Sequence, residues 1–268
     1  MDVSRRRMLT GIAGAGAALV GATRWALRLK GDQDAVASPP TTTAAAPEVA
    51  SPSTATPVTT SATTPTTTTE PAEHEPEPIR IEVIGREGWG AKPPAGPYVP
   101  HIPARITVHH TQAVLEDNRQ APARFRQHQR LHQVNRGWPD LAYHLMIDRG
   151  GNVYQGRPLD VRGDTATTYD PTGHLLPCLE GDFNLQDPTE AQIDALVTVI
   201  AWMMSTYEIT PDRVAGHRDF ADTSCPGDRV YPLLGDVTDR ASELRSERIE
   251  LTVIEGGDAL FRVAEITA

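Results

Sequence analysis

Arg105-Ile106-Thr107-Val108-His109-His110-Thr111 is the stretch from which the fold is read. Apolar Ile106 and Val108 alternate with Thr107 and His109, the period-2 pattern of a short strand. Alternation puts Val108 and His110 on one side and Thr107 and His109 on the other. Only one of the two histidines can then readily share a site with a partner. Ala121 to Val134 follows, rich in arginine and glutamine, and reads as a helix stopped by Gly137 and Pro139. Upstream, Ile79-Arg-Ile-Glu-Val-Ile84 alternates in the same way. Downstream come Tyr143–Ile147, a turn at Arg149–Asn152, a returning strand Val153–Gln155, and a further strand over Leu175–Leu179. Thr189 and Gln192 have capping-box spacing ahead of an apolar stripe, Ile193, Leu196, Val197, Ile200, Ala201 and Met204. That predicts a helix from Thr189 to about Tyr207. Arg213–Gly216 is a short strand ending at His217, and a polar helix-like piece follows Leu234. Strands alternating with helices predict an α/β domain over 79–236. Beyond it, Ile249–Ile254 and Leu260–Ile266 around Gly256-Gly257 predict a β-hairpin extension within 237–268.

Composition separates this domain from what precedes it. The chain has 268 residues, 25 basic and 35 acidic, for a formal net charge of −10. Such a balance disfavours a phosphate-backbone partner, so no nucleic acid is expected. Two cysteines, Cys178 and Cys225, exclude a disulfide scaffold. Between Trp25 and Trp89 there is no Phe, Tyr or Trp, so that stretch cannot bury a core. Residues 38–78 hold 13 Thr and 9 Pro, the composition of an extended, disordered linker reaching roughly 100 Å. Residues 1–37 open with Ser4-Arg5-Arg6-Arg7-Met8-Leu9 and a short Gly/Ala-rich apolar run too brief to span a bilayer. This order resembles a twin-arginine export signal, with Ala35-Val36-Ala37 as a candidate cleavage site. The expectation is an exported, extracytoplasmic protein, associated with the wall or secreted. Membrane contact would come only through the N-terminal segment if it is kept.

Chemistry concentrates in two places. His109 ends one strand; His217 ends another, and Cys225 follows in Thr223-Ser-Cys225-Pro226-Gly227. Two imidazoles and a thiol are the donors that Zn²⁺ prefers, and three protein ligands leave a fourth position open, as in catalytic sites. On spacing alone this does not separate a metal site from histidines packed at strand ends. His128 and His132 stand four apart, but Gln129 occupies the place where a zincin helix carries glutamate.

Five segments occur in order: Arg86-x-x-Trp89-Gly90-Ala91; Ile106-Thr-Val-His109-His110-Thr111; His132-x5-Trp138-Pro-Asp140-Leu-Ala-Tyr143-His144-Leu-Met-Ile147; Gly151-Asn-Val153-Tyr154-Gln-Gly156-Arg157; and Gly216-His217-Arg218-Asp219-x3-Thr223-x-Cys225-Pro226-Gly227. Together, over about residues 80–234, they resemble the peptidoglycan recognition protein family, whose zinc members are type 2 N-acetylmuramoyl-L-alanine amidases. The resemblance implies a central, mostly parallel mixed sheet flanked by helices, with zinc in an open groove. It implies His109, His217 and Cys225 as zinc ligands, His110 as a neighbour that does not ligate, and Tyr143 and Thr223 as catalytic residues. His132, Trp138 and Asp140 match packing and orienting positions. The implied substrate is peptidoglycan, cut between N-acetylmuramic acid and L-alanine of the stem peptide. A non-catalytic peptidoglycan-binding module of the same fold is the alternative, and such a module can lose the thiol. After Arg157 the chain departs from the pattern: where relatives often carry Gly-x-His and an Asn-rich loop, Arg162–His174 differs and is expected to wall the groove.

Overall fold

The computed structural model describes residues 77–268. The twin-arginine-like segment and all but the end of the Thr/Pro-rich linker lie outside the described residues. The elements are β1 (Ile79–Ile84), β2 (Arg105–His110), α1 (Ala121–Arg130), β3 (Leu145–Ile147), β4 (Val153–Gln155), β5 (His174–Leu175), β6 (Pro177–Leu179), α2 (Glu190–Thr206), β7 (Val214–Gly216), α3 (Leu234–Leu244), β8 (Ile249–Ile254) and α4 (Gly256–Thr267). One sheet runs in the order β5-β2-β6-β3-β4-β1-β8, with β7 also paired to β2. Every pairing is parallel except β3 with β4. The mixed, mostly parallel α/β sheet read from the sequence is therefore the fold.

Alternation along each strand feeds two separate cores. Val83, Leu145, Ile147 and Val153 face α2, where Leu196, Val197, Ile200 and Met204 are buried. Their neighbours Ile84, Met146 and Tyr154 face the opposite side, against Phe125 of α1 and Ala259 of α4. Each fully buried side chain of this size contributes about 1.5–3 kcal/mol relative to exposure. The α2 start is the capping box foreseen: Thr189 Oγ1 accepts the Gln192 N–H and the Gln192 side chain accepts the Thr189 N–H. α1 starts at Ala121-Pro122, where a proline sacrifices no helical hydrogen bond. It continues through a π-helical turn, Leu131–Asn135, and stops before Gly137, whose φ of +68° suits glycine.

The C-terminal hairpin does not form. Ile249–Ile254 is a strand, but it pairs parallel to β1, from Ile79 opposite Ile249 to Ile84 opposite Ile254. Gly256-Gly257 opens helix α4 instead of a turn. The physical reason is period. Ala259, Val263 and Ile266 recur at spacings of four and three and pack on the α1-side core, which a helix allows and a strand does not. Exposed Leu260 and Phe261 obscure that stripe. Residues 237–268 thus complete the sheet and cover one face of it. Among the described residues no helix is long and apolar enough to cross a membrane.

Candidate metal centre

β7 lies parallel beside β2 with Val108 opposite Gly216. The next residues, His109 and His217, therefore emerge side by side at the carboxyl ends of two strands. Open α/β sheets bind ligands outside such ends. The two rings have centroids 4.5 Å apart. The loop after His217 returns Cys225 beneath them. Arg218 N–H donates to the Cys225 carbonyl at 2.9 Å, and Cys225 N–H donates to Thr223 Oγ1 at 3.2 Å. Gly227 has φ of +100°, and a Cβ there would meet Phe183 at 2.6 Å, so only glycine lets the loop close this tightly. The donor atoms of His109, His217 and Cys225 lie within 4.8 Å of one another, and all three residues are buried. His109 Nδ1 stands 3.6 Å from Cys225 Sγ.

His110 points away, as strand alternation requires. Its Nδ1 accepts the Phe183 N–H at 3.2 Å, and its backbone N–H donates to Cys225 Sγ at 3.3 Å. Burial drives the histidine pKa values down, well below the usual value for His109 and to about 4 for His217. Burial pushes the Cys225 thiol up to about 12. Both imidazoles are thus neutral with a lone pair to offer, while the thiol must surrender its proton to a cation. Two neutral nitrogens and one sulfur, converged and shielded, fit zinc.

The groove above these residues measures about 190 Å³. Leu131, His132, Arg136 and Trp138 line it, as do Thr165 and Thr167, with Tyr143 and Thr223 also at its surface. The Tyr143 ring lies 5.3 Å from that of His109. Burial and the neighbouring thiols of Cys178 and Cys225 hold its phenol well above the usual range. Thr223 is half-buried and caps the Cys225 turn as well as facing the groove. Asp164 is the one carboxylate among the described residues that line it, and Arg157 engages it at 2.7 Å.

His132, Trp138 and Asp140 act in support. The His132 ring lies 4.8 Å from Trp138 and its Nδ1 accepts the Ala142 N–H. Asp140 is fully buried and receives Arg86 at 2.8 Å, Gln129 at 2.7 Å and the Tyr98 hydroxyl at 2.5 Å. Gln129 is spent on Asp140, and His128 on Glu180 at 3.0 Å, so the i, i+4 histidine pair forms no site. Cys178 and Cys225 are both free thiols, with Cys178 packed in the sheet. A larger cleft, about 370 Å³, between Glu82, Asn152, Ala195 and Arg262 brings no comparable donor set together.

Residue-level reading missed Thr165, Thr167 and Tyr169. Thr167 Oγ1 lies 2.8 Å from His217 Nε2, and Tyr169 Oη lies 3.3 Å from His109 Nε2. Their loop was expected to wall the groove, but hydroxyls in an irregular segment carry no spacing that marks such contacts.

Sheet and site together define an α/β domain with a candidate metal centre at the carboxyl ends of its strands. Residues 100–228 match the family model Amidase_2, N-acetylmuramoyl-L-alanine amidase. Peptidoglycan-recognition protein LB of Drosophila melanogaster is 32% identical over 155 residues, covering 56% of this chain and 66% of that protein. The human N-acetylmuramoyl-L-alanine amidase is 31% identical over 153 residues, covering 54% of this chain and 26% of that protein. The chain thus spans just under two thirds of the first relative's length and about a quarter of the second's. Peptidoglycan recognition protein-LE, solved in complex with tracheal cytotoxin, a monomeric diaminopimelic acid-type peptidoglycan, superposes with a TM-score of 0.53 at 26% identity. That match covers 57% of this chain and 92% of the other.

Proposed function

We propose that this protein is a zinc-dependent peptidoglycan amidase that hydrolyses the amide between N-acetylmuramic acid and L-alanine. The convergence of His109, His217 and Cys225 beside Tyr143 in one groove carries the reading. Relatives bearing the name amidase and relatives solved with peptidoglycan fragments support the substrate class. Zinc held by these three residues supplies a Lewis acid that polarises the carbonyl and acidifies water. The chain's own groups do the rest. Tyr143, a neutral phenol at physiological pH, donates a hydrogen bond to the oxygen on which charge develops. Thr223 fixes the Cys225 turn and offers its hydroxyl to the same region. Leu131 and Trp138 present apolar surface that excludes water from one side, and Arg136 offers a cation to an acidic stem peptide.

A binding module of the same fold is the competing reading. Digestion of purified sacculi, with mass spectrometry of the products, separates the two. New L-alanine amino termini without new reducing sugar ends establish the amidase. Binding without cleavage by zinc-loaded protein overturns it. The substrate lies outside the cytoplasm, so we assign the Ser4-Arg5-Arg6 segment to export and residues 38–78 to a spacer into the wall. Replacing Arg5 and Arg6 with Lys is expected to retain the protein in the cytoplasm; unchanged export overturns the twin-arginine assignment.

A further inference from the structure

We infer that Thr167 and Tyr169 are positioning residues for the metal centre. Their hydroxyls take the Nε2 ends of His217 and His109 and leave Nδ1 of each ring as the ligand atom. The inference rests on the zinc reading above and adds residues from the loop where this chain departs from its relatives.

A neutral imidazole carries one proton. If it is to ligate, the proton must sit on the nitrogen facing away from the ion, and the partner of that nitrogen decides where it sits. His109 Nδ1 faces Cys225 Sγ at 3.6 Å, so its Nε2 is the outer nitrogen, and Tyr169 Oη stands there at 3.3 Å. His217 Nε2 has Thr167 Oγ1 at 2.8 Å and Thr165 Oγ1 at 3.4 Å. The two threonine hydroxyls are 2.8 Å apart, and Thr167 N–H donates to Thr165 Oγ1 at 3.2 Å. In the inferred arrangement Thr167 Oγ1 accepts the His217 Nε2–H and donates its own hydroxyl hydrogen to Thr165 Oγ1. Thr167 Oγ1 thus has an acceptor site for the imidazole and an outlet for its hydrogen.

Tyr169 is itself held on several sides. Its ring lies 5.1 Å from His217, 5.3 Å from His174 and 5.6 Å from Phe220, the last stacked. His174 Nδ1 is bonded to Thr107 Oγ1 at 2.7 Å, and Thr107 belongs to β2, two residues before His109. Arg105, also on β2, lies over Phe220 at 5.2 Å. The strand that carries one ligand thus supports the residue that orients it. Carboxylates, backbone carbonyls and waters are the usual partners of a ligating histidine. Hydroxyls fix the tautomer without adding negative charge to a site that already has a thiolate.

Thr167→Val and Tyr169→Phe remove the hydroxyls and keep the shapes. Zinc dissociation constants, measured by competition with a chromophoric chelator, are expected to rise about 10- to 100-fold in each. Thr167→Ser is expected to restore wild-type affinity. In the metal-free protein, long-range ¹H–¹⁵N correlation spectra should show His217 protonated on Nε2 in the wild type and a mixture of tautomers in Thr167→Val. Melting temperatures near wild type identify variants that fold. Wild-type zinc binding with unchanged affinity in both hydroxyl-deletion variants, or an unchanged His217 tautomer in Thr167→Val, overturns this inference alone. Failure of the wild type to bind zinc overturns the centre and this inference together.

Discussion

The two margins of the sheet are held by different physics. At the site margin, polar groups are buried and most of them are matched to a partner, His110 Nε2 being an exception. His144 accepts the Leu176 N–H on Nδ1 and donates Nε2–H to the Val161 carbonyl, both at 2.9 Å. His101 does the same between Gly173 and Leu159, at 3.0 Å each. His132 and His110 accept backbone N–H groups from Ala142 and Phe183. These histidines are staples that tie loops to strands while staying neutral. At the opposite margin β1 and β8 share an unbroken parallel register, with half-buried Ile249, Leu251 and Val253 on the inside and exposed Arg80 and half-buried Glu250 outside. A buried polar contact tolerates almost no change of residue type. An apolar margin asks only for the right period and approximate volume. The first margin leaves recognisable motifs in the sequence; the second leaves only a pattern.

The largest effect expected is at Cys225. Serine is a far poorer zinc ligand than thiolate, so Cys225→Ser is expected to lose metal and sacculus hydrolysis together, measured by elemental analysis and product release. Retained zinc at full stoichiometry would break the assignment. Tyr143→Phe comes next. Removing one donor to a developing oxyanion typically costs about 3–4 kcal/mol, or about 10²–10³ in turnover, with zinc content unchanged. A wild-type rate would move Tyr143 into the class of packing residues.

A third effect tests the histidine staples themselves. Burial holds His144 and His132 down to about 3, against about 6.5 in an unfolded chain. Below about pH 6.5 the unfolded state binds protons that the folded state refuses, so stability falls as pH drops from there towards about 3. Each such histidine is expected to contribute a slope of up to about 1.4 kcal/mol per pH unit. Urea titrations across pH 7 to 5 should show a shallower slope in His144→Gln, which cannot take the proton. An identical slope would mean that His144 already charges in the folded protein. The smallest effect belongs to the opposite margin. Glu250 pairs with Arg248 at 2.8 Å and approaches Arg80 only to 4.0 Å, both contacts lying at the solvent surface, so Glu250→Gln is expected to change stability by less than about 1 kcal/mol. A larger loss would mean that this margin, too, depends on specific polar contacts.

Period and chemistry explain what could be read without coordinates. β2 and the turn-bounded strands declared themselves by alternation, and α2 by its cap and stripe, since local sequence alone sets those signals. The pleat set His109 and His110 on opposite sides, as the contacts of the two rings have it, while the choice of His109 for the site came from the resemblance. The convergence of His217 and Cys225 with His109 came from motif resemblance, because pairing of β2 with β7 is a tertiary event no local pattern encodes. α4 was misread because a glycine pair imitates a hairpin turn and two exposed apolar residues blur the helical stripe. Thr167 and Tyr169 stayed invisible because a loop hydroxyl acquires meaning only from what the fold sets against it.

The parallel union of β1 and β8 has a consequence for how the domain is made. Gly256 N–H closes onto Glu87 across 169 residues of chain. Bringing such distant segments together costs loop entropy before any contact rewards it, and folding dominated by such contacts is slow. As the chain leaves the ribosome, β1 appears well before its outer partner β8. Until then β1 is an alternating apolar strand with an open edge, the kind of segment that pairs with the wrong chain. Productive folding of this domain therefore waits on β8 and α4, and β1 keeps its open edge until they arrive.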